Sequence, residues 1–224
     1  MTISIAARCE RTGAFGVAIS SSSPAVGSRC PNVRAGVGAV SSQNITDPRL
    51  GPALLDALEG GLSAQAALDS VSAVATHPEF RQLTVVDATG AAAVFSGARS
   101  LGINAEVTAN NVAAAGNMLA NDGVVQAMVN SFSSNADKEL ADRLIGALEA
   151  GVAAGGEAGP VHSAVVLVAT QVSWPTTNLR VDWDENPIVK LREIYEVWAP
   201  QADDYVIRAL NPSVAPSYAV PGDE

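Results

Sequence analysis

The chain has 224 residues, 48% of them hydrophobic, and a formal charge of −10 from 23 acidic and 13 basic side chains. A chain of this length buries roughly 70% of its unfolded surface, so it needs neither disulfides nor a metal to hold a core, and one domain, or at most two small ones, is expected. The acidic balance argues against a nucleic-acid partner, whose phosphates demand basic patches. The longest apolar run, residues 164–169, is far too short to span a bilayer.

Cys9 and Cys30 are the only cysteines. They fit a reduced compartment and read as small buried hydrophobes. No charged segment followed by an apolar run marks a signal peptide, so a cytoplasmic protein with no membrane contact is expected.

Residues 2–8 alternate, with Ile3 and Ile5 on one side and Thr2, Ser4 and Ala6 on the other, which predicts a half-buried strand. Chain ends are usually loose unless a sheet ties them down. A small second residue is also what methionine aminopeptidase requires. Once Met1 is removed, Thr2 would carry an α-amine and a β-hydroxyl on one residue, a nucleophile arrangement in which the amine takes the hydroxyl's proton. The competing reading is that Thr2 is an accidental second residue.

Glu10-Arg11-Thr12-Gly13 reads as a turn and residues 15–21 as a second strand, closing an N-terminal hairpin. A polar loop follows over 20–27. Residues 34–43 read as one strand of small residues, where glycine marks a close approach. Asp47 and Pro48 supply an N-cap and a first helical residue, with Leu50, Leu54, Leu55 and Leu58 at helical spacing and Gly60-Gly61 as the stop. Ser63 caps a second helix with Ala66, Ala67, Val71 and Val74 on its apolar face. Residues 82–87 and 91–96 flank Ala88-Thr89-Gly90 as a hairpin.

Residues 97–110 read as irregular, and 111–115 as a strand running into Gly116-Asn117-Met118-Leu119. Two helices follow over 124–132 and 137–152, then a breaker-rich loop over 155–160. Strands over 163–170 and 178–183 precede a helix opened by Asn186-Pro187. Beyond Pro200 the chain is polar, and 211–224 reads as a mobile tail, leaving a single domain over 1–210. Antiparallel strand clusters alternating with helix pairs predict an α+β protein, and a four-layer arrangement with helices outside two sheets accommodates them.

The chemistry narrows by elimination. His77 and His162 are the only histidines, and no acids or thiols stand at ligand spacing, so neither a metal nor a cofactor is expected. Gly36-Val37-Gly38 lacks the third glycine and the helix of a dinucleotide site. Asp182, Asp184 and Glu185 suit a solvated turn and helix start. No Gly-x-Ser-x-Gly elbow supports a serine triad.

What remains is Thr2 with Ser21, Gln43, Asn117 and Ser163, small hydroxyl and amide side chains near strand ends that suit an oxyanion hole or a relay to an α-amine. A free α-amine with a pKa of about 7.7–8.0 is only about a tenth neutral at pH 7. Burial or a nearby cation raises that share. Arg34, heading the small-residue stretch, is the candidate cation. For each residue taken singly, ordinary strand-end hydrogen bonding is the competing role.

Taken together, these stretches resemble an uncharacterised bacterial family, DUF1028, assigned to the N-terminal nucleophile (Ntn) hydrolase-like group. The resemblance starts at Thr2-Ile3-Ser4-Ile5-Ala6-Ala7-Arg8 and runs through Gly16-Val17-Ala18, Ser21 and Ala25-Val26-Gly27. Its most distinctive block is residues 34–43, followed by Gly116-Asn117-Met118-Leu119, Ala154-Gly155-Gly156, Ser163-Ala164 and Leu179-Arg180-Val181-Asp182. It covers about residues 2–195 in order.

The resemblance implies an αββα sandwich of the Ntn-hydrolase type, with mainly antiparallel sheets, Thr2 as nucleophile and cleavage of amide-like bonds. Ser21, Asn117 and Ser163 are then expected around Thr2, and Gln43, Arg34 and His162 in the substrate pocket. Two positions depart from the family pattern: Ser22 stands where a basic or aromatic residue is common, and His162 where glutamine is common. The expected substrate is a small amide or cyclic amide, and the expected assembly a homodimer. The competing readings are a catalytically inactive ligand-binding protein and a structural subunit on the same fold.

Overall fold

The computed structural model describes residues 1–220. It opens on strands β1 (Thr2–Arg8), β2 (Phe15–Ser21), β3 (Pro31–Arg34) and β4 (Gly38–Asn44), followed by helices α1 (Leu50–Glu59) and α2 (Ala64–Val74). Strands β5 (Arg81–Asp87), β6 (Ala92–Ser96), β7 (Ala105–Ala109) and β8 (Val112–Asn117) come next, then α3 (Gly123–Ser134) and α4 (Leu140–Ala153). The chain closes with β9 (Ser163–Ala169), β10 (Thr177–Val181), α5 (Pro187–Trp198) and α6 (Ala202–Leu210).

The architecture is mixed α+β with antiparallel pairing in both sheets. One sheet has six strands in the order β10-β9-β2-β1-β8-β7, and the other has four in the order β3-β4-β5-β6. Strand β1 lies inside the larger sheet, between β2 and β8, which is why the chain starts in order.

Side-chain parity explains the packing. Ile3, Ile5 and Ala7 of β1 share a core with Met128 of α3, Leu144 and Leu148 of α4, and Ile188 and Leu191 of α5. The smaller sheet turns Val40, Leu83 and Val85 onto Leu54 and Leu58 of α1 and Leu68 of α2. The opposite parity, Ala6, Val17, Ile19, Ala39, Val86, Ala113 and Val165, fills the space between the two sheets. Strands covered on both faces lose the apolar–polar alternation of a half-exposed strand, hence runs such as Ala113-Ala114-Ala115.

Several expectations are corrected. Residues 34–43 are not one strand: a turn separates β3 from β4, with Gly36 at φ +73° and Val37 N–H donating to Arg34 O (3.1 Å). A positive φ suits glycine because no Cβ opposes it. The stretch 97–110 contains β7, an edge strand with mostly exposed side chains and so no apolar signature. Helix α1 begins at Leu50 rather than Pro48, and Asp47 instead accepts the Arg49 N–H (3.1 Å). Beyond Pro200 the chain forms α6. Arg208 there donates to Pro216 O (2.9 Å), while 221–224, the end of the expected tail, lie outside the described residues.

Candidate active site

Thr2, Ser21, Asn117 and Ser163 all have the parity that faces the space between the sheets. Strand register then sets them side by side: Ser163 opposite Ser21, Ser21 opposite Thr2, and Thr2 opposite Asn117. Four residues far apart in sequence thus form one buried row across β9, β2, β1 and β8.

At the centre of the row, Thr2 Oγ1 and Ser21 Oγ lie 3.2 Å apart, and each donates to the Met1 carbonyl oxygen at 2.6 Å. A hydroxyl has one proton to give. Ser23 Oγ, 2.9 Å from Ser21 Oγ, therefore donates to it, and Arg29 Nη2 donates to Ser23 Oγ at 2.6 Å. A line of hydrogen bonds thus runs from a guanidinium through two serines to the Met1 carbonyl oxygen, the acceptor that the Thr2 hydroxyl shares.

Ser163 reaches the same loop rather than Thr2. Its hydroxyl donates to Ser23 O (2.6 Å) and accepts the Val26 N–H (3.2 Å).

On the other side of Thr2, Asn117 Nδ2 donates to Gln82 Oε1 (3.0 Å), which also accepts from Gln43 Nε2 (2.8 Å). Gln43 Nε2 further meets Ala115 O (3.2 Å), and Gln82 Nε2 meets Gly116 O (3.1 Å) and Ser96 Oγ (3.0 Å). The amides thus bolt the smaller sheet to β8. Gln43 Oε1 is buried without a partner.

Two expected pocket residues are not brought to Thr2. Arg34 leaves through the far end of the smaller sheet and pairs with Asp56 (2.8 Å) and Glu59 (2.6 Å) of α1. The cation near Thr2 is Arg29. His162 precedes Ser163 and its N–H donates to Ser21 O (2.8 Å), but its ring stacks on Trp183 at 4.3 Å between centroids.

The sequence reading missed Glu157. After β8 the chain turns at Met118 (φ 51°) and runs past the 155–160 loop. Leu119 bridges to Glu157, Ala120 N–H donates to Gly156 O (3.0 Å) and Ala158 N–H to Met118 O (2.9 Å). This short pairing carries Glu157 beyond the Asn117 end of β8, toward the start of β1.

The residue is 7% exposed and neither carboxylate oxygen has a hydrogen-bond partner. Burial pushes its pKa up to about 8, opposed by the charge of the Met1 α-amine. The Ser22 backbone N–H also favours the ionised form, but both oxygens fall short of a full hydrogen bond. The visible signal in the sequence was a lone acid in a glycine-rich loop.

Among the described residues, no cluster of three or more His, Cys, Asp or Glu could hold a metal ion, and no helix is long and apolar enough to cross a membrane. An open cavity of about 440 Å³ lies at the other end of β1, lined by Arg8, Cys9, Asn111, Phe132 and Arg143 among others. It contains none of the row's residues. Met1 covers the Thr2 end.

Comparison with solved structures gives a match to protein SPO2555 from Silicibacter pomeroyi, at 31% identity and a TM-score of 0.82, covering 88% of this chain and 89% of that one. Two weaker matches are Anbu (ancestral beta-subunit) from Yersinia bercovieri, with 11% identity, a TM-score of 0.39 and coverage of 88% and 97%, and an Anbu (Gly-1) mutant from Hyphomicrobium sp. strain MC1, with 11% identity, a TM-score of 0.41 and coverage of 91% and 96%. At those values neither bears on the chemistry of this chain. No curated protein matches it. The model of the family of unknown function DUF1028 matches residues 2–191, and the chain belongs to that family.

Proposed function

We propose that the chain is an Ntn-type amidohydrolase on an αββα sandwich, with Thr2 as nucleophile once Met1 is removed and a small amide or cyclic amide as substrate. The observation that carries this reading is the row Ser163–Ser21–Thr2–Asn117, with the Thr2 and Ser21 hydroxyls converging on one carbonyl oxygen at 2.6 Å.

In this mechanism the Thr2 α-amine takes the hydroxyl proton as Oγ1 attacks the substrate carbonyl carbon. The tetrahedral intermediate collapses by breaking the C–N bond, and the departing amine takes that proton. Water, deprotonated by the same α-amine, then attacks the ester and releases the acid. Ser21, tied through Ser23 to Arg29, orients the α-amine and keeps a positive charge close. Asn117 uses one N–H on Gln82 and turns the other to the developing oxyanion. Losing one such donor typically costs about 10²–10³ in rate. Ser163 acts at one remove, by fixing the 23–26 loop.

The test compares the chain beginning at Thr2 with its Thr2→Ala counterpart against a series of small amides, with circular dichroism to confirm that both are folded. Turnover confined to the threonine protein is expected. Equal turnover by both would remove Thr2 from the mechanism. The cytoplasmic setting and the homodimer belong to the same proposal, and light scattering checks the latter.

A further inference from the structure

Met1 sits in a seat that contacts its carbonyl oxygen and its side chain and places a buried carboxyl within electrostatic reach of its α-amine. Its carbonyl oxygen takes the Thr2 and Ser21 hydroxyls at 2.6 Å. Its side chain ends on Gly159, so close that a Cβ there would come within 2.8 Å of Cε and 3.4 Å of Sδ. The charge of its α-amine reaches Glu157 without forming a direct ion pair, and both oxygens of that buried carboxyl stay unpartnered. Leaving a carboxylate buried without a partner is costly. A cation delivered to that place offsets the cost.

Met1 is an aminoacyl group bonded to Thr2 N. The acyl-enzyme of the proposed mechanism is an acyl group bonded to Thr2 Oγ1, which already lies 2.6 Å from the Met1 carbonyl oxygen. The two species differ by a shift of one bond between neighbouring atoms, so the seat of Met1 maps the seat of the substrate's acyl part.

On the reading that Thr2 is the nucleophile, we propose that the vacated seat binds the aminoacyl part of an α-amino acid amide. Glu157 is the counter-ion of its ammonium group and the bare backbone of Gly159 is the floor of its side-chain channel. Hydrolysis breaks the C–N bond of the amide and consumes one water, giving the free amino acid and ammonia. Glu157 touches the substrate's ammonium and none of the reacting atoms, so it sets specificity.

The experiment uses the full chain beginning at Thr2. Calorimetry measures binding of L-methioninamide and of 4-(methylthio)butanamide, which lacks only the α-amine, and ammonia release measures turnover of both. A charge-assisted contact predicts an advantage of about 10- to 100-fold for L-methioninamide. Glu157→Gln should bring the two ligands to within about twofold of each other. Gly159→Val supplies an independent check, weakening L-methioninamide relative to glycinamide.

Equal binding of the pair by the wild-type chain would overturn the proposal, as would a preference that survives Glu157→Gln. Equal weakening of both ligands by Glu157→Gln would also overturn it, assigning Glu157 to Thr2's own amine. Turnover without an ammonium preference overturns this inference and spares the nucleophile reading. An ammonium preference without turnover supports the anchor and overturns the nucleophile reading.

Discussion

Two buried polar neighbourhoods flank Thr2, and they are completed to different degrees. On the β8 side, Gln43, Gln82 and Asn117 give and receive five hydrogen bonds of 2.8–3.2 Å, leaving one carbonyl oxygen over. On the side of the 155–160 loop, Glu157 is almost as buried and has no partner for either oxygen. Buried polar groups normally find partners, because an unmade hydrogen bond costs more than a made one contributes. The amide cluster therefore joins the two sheets and fixes Asn117 in place, while the carboxyl is left open to the ammonium partner proposed above.

The largest effect should come from breaking the completed side. Gln82→Leu fills similar space but strands the Asn117 amide and takes one of two acceptors from the Gln43 amide and one donor from the Gly116 carbonyl. At about 1–3 kcal/mol for the stranded group and about 0.5–1.5 kcal/mol for each further bond lost, a loss of roughly 2–4 kcal/mol in urea-unfolding stability is expected. A loss under about 1 kcal/mol would mean that the amides are not what joins the sheets.

The unfinished side should respond with the opposite sign and with a pH dependence. Glu157 titrates near 8 in the folded protein against an ordinary 4.5. Between those values the folded state holds more protons than the unfolded one, so stability falls as pH rises through the window. The loss is on the order of a few kcal/mol. Glu157→Gln should flatten that slope, matching the wild-type chain near the acid end and exceeding it in stability near pH 8. Parallel stability–pH curves for the two proteins would place the titration elsewhere.

The smallest effect marks the edge of the comparison. Arg34 is about a third exposed and its acidic partners more so. Arg34→Ala should therefore cost no more than about 1 kcal/mol and leave amide turnover intact. A collapse of turnover would return Arg34 to the pocket.

The sequence made the row legible because its logic is local. Alternation in residues 2–8 places Thr2 at a strand start, and small polar residues at the ends of three other strand-like stretches pick out Ser21, Asn117 and Ser163. Register, which makes those four neighbours, depends on tertiary pairing and could not be read. The same gap hid Gln82, whose polarity within a strand had no visible partner until β4 and β8 came together. It also misdirected the choice of cation: Arg34 heads a small-residue stretch, but a turn at Gly36 sends β3 and β4 back on themselves, while Arg29 folds onto Ser23. Glu157 was invisible for a different reason. Glycine-rich loops usually carry acids on the outside, and only the bridge to Leu119 turns this one inward.

The central claim, that Thr2 Oγ1 is the nucleophile of this site, is met most directly by covalent labelling. The chain beginning at Thr2, the chain retaining Met1 and Thr2→Ala are each exposed to a small β-lactone, and the modified peptide is identified by mass spectrometry. One acyl adduct per chain on the N-terminal threonine, absent from the other two proteins, is the predicted result. Equal labelling of all three, or an adduct mapped to any other residue, would contradict the account.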